Sequence, residues 1–451
     1  MRKTTVPIAV LGAALLAVTA CSSSKNNNAS SNTTPAGGAT TTSAAPTTSA
    51  AGGSGGINGN GAKVGIILPD TVSSPRWVTA DPTALKADCT KYNLSCDIQN
   101  AGGSAAHMKT IADQMEASGV KVLMIVNLDQ ASGAAIEKKA EQNGVTTVDY
   151  DRLTPGGGAA LYVSFDGVKV GEAQGHALTQ CPQVRHLKSV QYVEIDGAKT
   201  DNNALLFNQG YTSVLSKQAG WTKVAEQDGN WDAPTAGREF SAMLGAHPNL
   251  KAVMVANDTM AQAVITDLKR QSLAGKVAVS GQDATAGGLQ NIMDGTQCFT
   301  IYKPSTAEAD PAIKAIAQLV NNQVPQTNAT TTDPLTHKKV PSILASPIVI
   351  TKANVALPIN EHYLPKNSVC TGKYVAKCAA AGVHYQPALA GRPRPPGQPG
   401  FIDSPSGREH PRGAGRTDPR PTPHLQELRT RERSQGRRVQ RSVRRGHRAC
   451  R

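Results

Sequence analysis

The sequence predicts an α/β protein of two doubly wound lobes built on parallel sheets. Three observations carry this expectation. Between Lys63 and about Tyr385, short β-branched apolar runs alternate with helix-length stretches whose apolar residues recur at spacings of three and four. Those roughly 320 residues are too many for one small doubly wound domain, so two lobes of similar size fit better. The apolar runs also repeatedly end in Asp or Asn, at the strand ends where open parallel sheets place their ligands.

Strands are expected in order at Val64–Leu68, Val120–Leu128, Val145–Val148, Val190–Ile195, Ala252–Ala256 and Lys276–Ser280. Each is short and rich in β-branched residues, as suits a strand buried on both faces. The clearest helices lie at Ala106–Ala117, Ala134–Gln142, Val168–Thr179, Ala204–Lys217, Thr235–Leu244 and Met260–Lys269. The strand ends carry Asp70, then Asn127 and Asp129, then Asp149, Asp151 and Arg152, then Asp196, Asn257 with Asp258, and Gln282 with Asp283. Loops are polar in any case, but six such ends in turn suit a polar cleft.

A formal net charge of +14 would suggest a nucleic-acid or anionic-membrane partner. Its position argues otherwise. From Pro387 to Arg451 there are 16 Arg, no Lys and 5 acidic residues, net +11, which leaves +3 for the rest of the chain. The apolar content of 39% clusters between about Ala62 and His384. These facts exclude a uniformly basic nucleic-acid binder, a multi-span membrane protein and a wholly disordered chain. Residues 386–451, rich in Pro, Gly and Arg, are expected to be disordered and dispensable for ligand binding. Arg without Lys, beside much Pro and Gly, is also what GC-rich codons give in an unselected reading frame.

At the other end, Arg2 and Lys3 precede an apolar stretch from Val6 to Ala20, too short for a comfortable membrane span and suited to a signal-peptide core. It ends in Val18-Thr19-Ala20-Cys21, which resembles the lipobox of bacterial lipoproteins; Cys21 would then be the lipidated residue, and 1–21 the signal region. A plain secretory signal cleaved near Ala20 is the alternative. Residues 22–62, mostly Ser, Thr, Asn, Ala and Gly, read as a flexible stalk. The expectation is an exported protein tethered to the outer face of the membrane.

Several chemistries lack their motifs. No Gly-rich phosphate fingerprint stands between a strand and a helix: Gly156-Gly157-Gly158 opens no helix behind a strand, and Gly52–Gly61 lies in the stalk. His107, His176, His186 and His247 are scattered, and no Cys pair has a finger-like partner, so no metal site is expected. No Gly-x-Ser-x-Gly elbow occurs. No cofactor and no catalytic residue are assigned. Six cysteines lie in the body, where export permits disulfides. The local pairs Cys89–Cys96 and Cys370–Cys378 are expected, which leaves Cys181 and Cys298 as a third pair or as free buried thiols.

Particular segments then carry a family likeness. They are Pro75-Arg76-Trp77, Tyr150-Asp151-Arg152, Val163-Ser164-Phe165-Asp166 followed by Val168–Glu172, Asp201–Ala204, Ala256-Asn257-Asp258, Gly275–Asp283, and Gly295-Thr296-Gln297 leading to Tyr302-Lys303-Pro304. In order and spacing, Lys63 to about Tyr385 resembles the periplasmic sugar-binding proteins of ABC transporters. The resemblance implies the type I periplasmic-binding fold, with three hinge crossings near Phe165–Val168, Tyr302–Pro304 and Val340–Ser346. One lobe would hold 63–165 with 304–339, and the other 166–303 with 340–385. It implies a monosaccharide ligand (xylose, or glucose or another aldose) and an ABC permease as partner, with the protein a monomer. By similarity, Arg76, Trp77, Asp151, Arg152, Asn203, Trp231, Asn257, Asp283 and Lys303 would line the sugar site.

The residue types suit that reading. Asp accepts two hydroxyls, Asn both donates and accepts, Arg donates a planar fork, and Trp covers the apolar face of a pyranose. Alternatives stand beside it. Lys303 could be a hinge ion-pair partner of an Asp. Asp201, Asn202 and Asp258 could merely cap helices. Phe207 could face the sugar or the core, and Trp221 suits ordinary packing. The sequence departs from the family at Asp70–Pro75 and at Gly229-Asn230-Trp231, and the cysteines and tail are additions. Three other functions compete with it. A transcriptional regulator of this fold would need an N-terminal helix-turn-helix, where a signal and stalk stand instead. A sugar-modifying enzyme would need Asp151 and Asp283 as a carboxylate pair, and no turnover is expected. A surface sugar sensor, delivering ligand to a membrane kinase or chemoreceptor, is not separable from transport by sequence.

Overall fold

The computed structural model describes residues 56–384, so the expectations for the signal region, Cys21, most of the stalk and the Arg-rich segment lie outside the described residues. In chain order the first half runs β1 (Lys63–Leu68), a 3₁₀ turn (Pro75–Val78), α1 (Ala80–Lys91), β2 (Ser95–Asn100), α2 (Ala105–Ala117), β3 (Val122–Ile125), α3 (Gln130–Gln142), β4 (Thr146–Tyr150) and β5 (Leu161–Phe165). There follow α4 (Gly167–Thr179), β6 (Val190–Asp196), α5 (Asn202–Leu215), β7 (Trp221–Asp228), α6 (Ala233–Ala246), β8 (Ala252–Val255), α7 (Asp258–Arg270), β9 (Ala278–Val279) and α8 (Ala286–Asp294). The described residues end with β10 (Thr300–Tyr302), α9 (Thr306–Leu319), β11 (Ala329–Thr332), β12 (Lys339–Ala345), β13 (Ile348–Ile350) and the short helices α10 (Leu357–Asn360), α11 (Lys366–Val369) and α12 (Tyr374–Ala380).

Two open sheets result. One has seven strands in the order β11-β12-β5-β4-β3-β1-β2, parallel except for β11, and the other has four parallel strands in the order β7-β6-β8-β9. Alternation of side chains along a strand explains the layers. Val64, Ile66 and Leu68 of β1 face α1 and α9, while Ile67 faces the opposite layer with Met108, Ile111 and Ile136 of α2 and α3. The second sheet buries Val193, Ile195, Val253 and Val255 among α4 to α7. The approach of α4 to α5 is closest at Gly171 and Gly210: a Cβ on Gly171 would stand 2.1 Å from the Phe207 carbonyl oxygen.

The chain passes between the sheets three times: after Phe165, between Tyr302 and Thr306, and between Ala345 and Ile348. The last pass corrects the sequence expectation, which assigned residues from 340 onward to the second lobe. Residues Ser342–Ala345 pair in parallel with Tyr162–Phe165, and Val340 packs with Leu153 and Tyr162, so β12 belongs to the first sheet. Backbone pairing and an apolar contact hold it there, and the pass moves to residues 346–347. Beside it, β10 and β13 pair antiparallel, Thr300 opposite Ile350. The disulfides are Cys89–Cys96, Cys370–Cys378 and Cys181–Cys298. The third joins the end of α4 to the residue preceding Phe299, the pairing the sequence left open. Among the described residues, no helix is long and apolar enough to cross a membrane.

Candidate functional site

Loops at the carboxyl ends of both sheets meet around one cavity. From the first sheet come Ser73, Ser74 and Trp77 after β1, and Asp151 and Arg152 after β4. From the second come Asp201, Asn203 and Phe207 at the start of α5, Trp231 after β7, Asn257 after β8, and Gln282 and Asp283 after β9. Lys303 reaches in from the second crossing. Three of these residues have left-handed backbones, Asp151 at φ 61°, Trp231 at φ 58° and Asp283 at φ 85°. Non-glycine residues in that region cost on the order of 1–3 kcal/mol each and concentrate at binding sites.

Asp151 and Lys303 form the electrostatic centre. The Lys303 Nζ lies 3.3 Å from Asp151 Oδ2 and 3.7 Å from Asp283 Oδ1. Burial alone would raise the Asp151 carboxyl, but Lys303, Arg76 and Arg152 outweigh it and bring it to about 2. Burial would likewise depress the Lys303 ammonium, and Asp151 and Asp283 hold it above its ordinary value. The expected alternative for Lys303, an ion-pair partner, is therefore present together with its place on the wall. Arg152 pairs through Nε with Asp201 Oδ2 at 3.1 Å and donates through Nη1 to the Asn127 carbonyl at 3.0 Å.

Several of these bonds cross between the lobes. Asn203 Nδ2 donates to the Asp151 carbonyl and carboxylate at 2.9 and 3.1 Å, and Asn257 Nδ2 donates to the Ser73 carbonyl at 2.9 Å. The aromatic wall is Trp77, Phe207 and Trp231, the last two edge to face with centroids 6.4 Å apart. Trp231 Nε1 donates to Asp201 Oδ2, and Trp77 Nε1 donates to Ser73 Oγ. Both indoles thus have a polar anchor and leave ring surface for an apolar ligand face.

Eight of the nine residues expected from sequence stand on this wall; Arg76 does not. Its guanidinium is fully buried behind the wall, donating to Asp151 Oδ2 at 2.8 Å, to both Asp81 oxygens at 2.8 and 2.7 Å, and to Glu308. It also lies 4.5 Å from the Trp77 ring centre. Arg76 therefore braces two wall residues from behind. The sequence reading missed Ser73, Ser74 and Gln282 as wall residues, although it marked Gln282 as a strand end. Asp201 both caps α5, accepting from the Asn203 backbone N–H, and faces the cavity. Phe207 is core and wall at once.

Other strand-end acids are structural. Asp70 accepts the backbone N–H groups of Val72 and Ser73, Asp129 caps α3, and Asp258 accepts from Thr285, Gln297 and Thr300. Burial pushes Asp258 up to about 7. Away from the cavity, Glu194, Asp196 and Glu226 bring carboxylate oxygens within 4.8 Å of one another, but the Lys223 ammonium already bonds Glu194 and Glu226. That counter-charge occupies the place a cation would take.

Residues 64–323 match the periplasmic binding protein domain. The chain is 35% identical over 299 residues to the D-xylose-binding periplasmic protein of Escherichia coli, covering 65% of this chain and 88% of that protein. It is 26% identical over 310 residues to the multiple sugar-binding periplasmic receptor of Rhizobium radiobacter, covering 64% of this chain and 87% of the relative. Among solved structures, a carbohydrate transporter solute-binding protein from Chloroflexus aurantiacus in complex with D-glucose superposes with a TM-score of 0.61 at 28% identity, covering 68% of this chain and 97% of that one. These relatives are solute-binding proteins, not enzymes. With its two parallel sheets, three crossings and a polar cavity between strand ends, the chain belongs to the periplasmic binding protein family.

Proposed function

We propose that the protein is the solute-binding component of an ABC sugar importer, exported and lipid-anchored through Cys21, that captures a monosaccharide between its lobes. The ligand class is an aldose, xylose or a close relative. The carrying observation is one cavity in which Lys303 stands between Asp151 and Asp283 while Trp77, Phe207 and Trp231 supply apolar faces. Hydroxyls that both donate and accept match such a wall, and the C–H faces of a pyranose match its rings. In this reading Trp77, Asp151, Arg152, Asn203, Trp231, Asn257, Asp283 and Lys303 contact the sugar, and Arg76 holds Asp151 and Trp77 in place.

One lobe comprises 63–165 with 304–345, and the other 166–303 with 348–384. They turn about the three crossings, and closure brings ligand residues from both lobes together. The receptor acts as a monomer and hands its ligand to a permease. Calorimetric titration against a panel of aldoses tests the reading. A saturable heat with xylose or glucose supports it; no heat and no thermal shift with any aldose would sink it.

A further inference from the structure

We propose that Ser74 and Gln282, together with the free carbonyl of Asn203, are sugar-hydroxyl ligands that restrict the site to neutral, hydroxyl-donating solutes. The assignment rests on the cavity being the sugar site. Ser74 Oγ, Asn203 Oδ1 and Gln282 Oε1 are buried side-chain atoms without any hydrogen-bond partner, and all three residues stand on the cavity wall. They are 4%, 4% and 2% exposed, so bulk water does not serve them. Buried polar groups are nearly always paired, and one left over requires a partner that the protein itself does not provide.

The Asn203 amide is oriented by its neighbours, and the backbone at or beside the other two is held in place. Asn203 Nδ2 donates to two acceptors on Asp151, so its carbonyl must be the end left free. The backbone around Gln282 is pinned on both sides: its carbonyl accepts from Asp258 N–H, and it bridges to Ile301. Ser74 follows Ser73, whose carbonyl receives the Asn257 amide from the other lobe. The three residues thus come from both lobes and line one cavity.

The Asn203 carbonyl can be satisfied only by a donor, while the Ser74 hydroxyl and the Gln282 amide can serve a hydroxyl in either role. Around them the wall carries carboxylates at Asp151, Asp201 and Asp283 against the cations Arg152 and Lys303. An aldose or polyol brings a hydrogen on every hydroxyl. A sugar acid brings a carboxylate that would meet the Asn203 carbonyl and a surplus of negative charge, leaving both sides unpaired.

The test is calorimetric titration of the full chain with D-xylose, D-glucose, their monodeoxy analogues and D-glucuronate. Wild type, Ser74→Ala and Gln282→Met are compared, with thermal melts of each without sugar. Each variant should bind the preferred aldose about tenfold more weakly while melting within a degree or two of wild type. The deoxy analogue that lacks the hydroxyl served by Gln282 should bind poorly to wild type and no worse than the parent sugar to Gln282→Met, a coincidence that a merely structural role would not produce. D-glucuronate should bind wild type at least a hundredfold more weakly than D-glucose. If wild type binds an aldose and both variants bind it equally well, this assignment is wrong and the sugar site stands. Glucuronate bound as tightly as glucose would also overturn it. Wild type giving no heat with any neutral aldose would remove the sugar site and this assignment together.

Discussion

Replacing Glu308 by Gln tests the charge state of the cluster behind the cavity. The Arg76 guanidinium serves three carboxylates, on Asp81, Asp151 and Glu308, all buried. One cation cannot balance three anions in such a place, and of the three Lys303 pairs directly only with Asp151. Burial is the largest influence on Glu308, and although Arg76 opposes it, the carboxyl is pushed up to about 8 from its ordinary 4.5. Near pH 7 Glu308 is therefore mostly protonated, and Gln is a fair replica of it. The sign follows from linkage. A raised folded pKa means the fold is relatively most stable below about 4.5 and loses stability as pH rises toward 8, at up to about 1.4 kcal/mol per pH unit. Glu308→Gln removes that loss. Urea melts of wild type and variant at pH 5, 7 and 9 should show near equality at pH 5. The variant should gain by on the order of 1–4 kcal/mol by pH 9. Asp81→Asn is the contrast: it breaks a two-toothed contact to a buried cation and should cost about 3–5 kcal/mol at pH 7. If Glu308→Gln instead costs as much as Asp81→Asn at every pH, Glu308 is a charged partner and the argument fails.

Three further outcomes follow from other parts of the molecule. Asp283→Asn keeps a residue that tolerates φ 85° but removes the charge facing Lys303, so aldose affinity should fall at least tenfold with little change in melting; unchanged calorimetric affinity would exclude Asp283 from the site. Cys181→Ser with Cys298→Ser removes a link between residues 117 apart and should lower unfolding free energy by about 5 kcal/mol, against about 2 for the seven-residue separation of Cys89 and Cys96; equal losses in urea melts would contradict the ordering. Gly171→Ala must push α4 from α5, costing roughly 1–3 kcal/mol in a thermal melt and weakening aldose binding through the displaced Asn203, whereas retained stability and affinity would show that the helices yield freely.

The fold was legible where burial was symmetrical. Strands such as β1, β3 and β8 are apolar on both faces and announce themselves as short β-branched runs. β5 (Leu161–Phe165) is buried throughout and was missed all the same, but two other missed strands are of another kind. Ser95–Asn100 and Trp221–Asp228 are edge strands, half exposed and largely polar, and nothing in their pattern separates them from loops. The third crossing was misplaced because β12 gains its place from pairing with residues some 180 positions earlier, which local periodicity does not record. At the site, Asp151, Asn257 and Asp283 were visible as strand-end polar residues. Arg76 was not, since a guanidinium on a wall and one behind it have the same letter. Only the surrounding carboxylates, on α1 and α9, decide between them.

The backbone of the site residues is held by the strands that lead into the crossings. The Asp151 N–H donates to Val163 of β5, and the Asp283 N–H donates to Ile301 of β10. Asp283, at φ 85°, is also fixed through its carbonyl, which accepts from the Tyr363 hydroxyl at 3.1 Å. Tyr363 packs edge-on against Tyr302, with centroids 5.0 Å apart, at the end of β10 just before the second crossing. A strained residue persists only when its surroundings overdetermine it, and here the surroundings are a crossing strand and the carboxyl-terminal segment laid against it. Tyr363→Phe keeps the ring contact and deletes only the hydroxyl. A net hydrogen bond of about 0.5–1.5 kcal/mol would be lost, so melting should shift by a few degrees at most. Under the proposed function, aldose affinity should fall severalfold, since part of the binding energy must now order Asp283. The loss should appear mainly as faster ligand release, since affinity changes within one site fall mostly on the off-rate. Calorimetry and stopped-flow fluorescence together decide it. Unchanged affinity and release would mean that β10 alone fixes Asp283, and that the carboxyl-terminal segment has no part in holding the site.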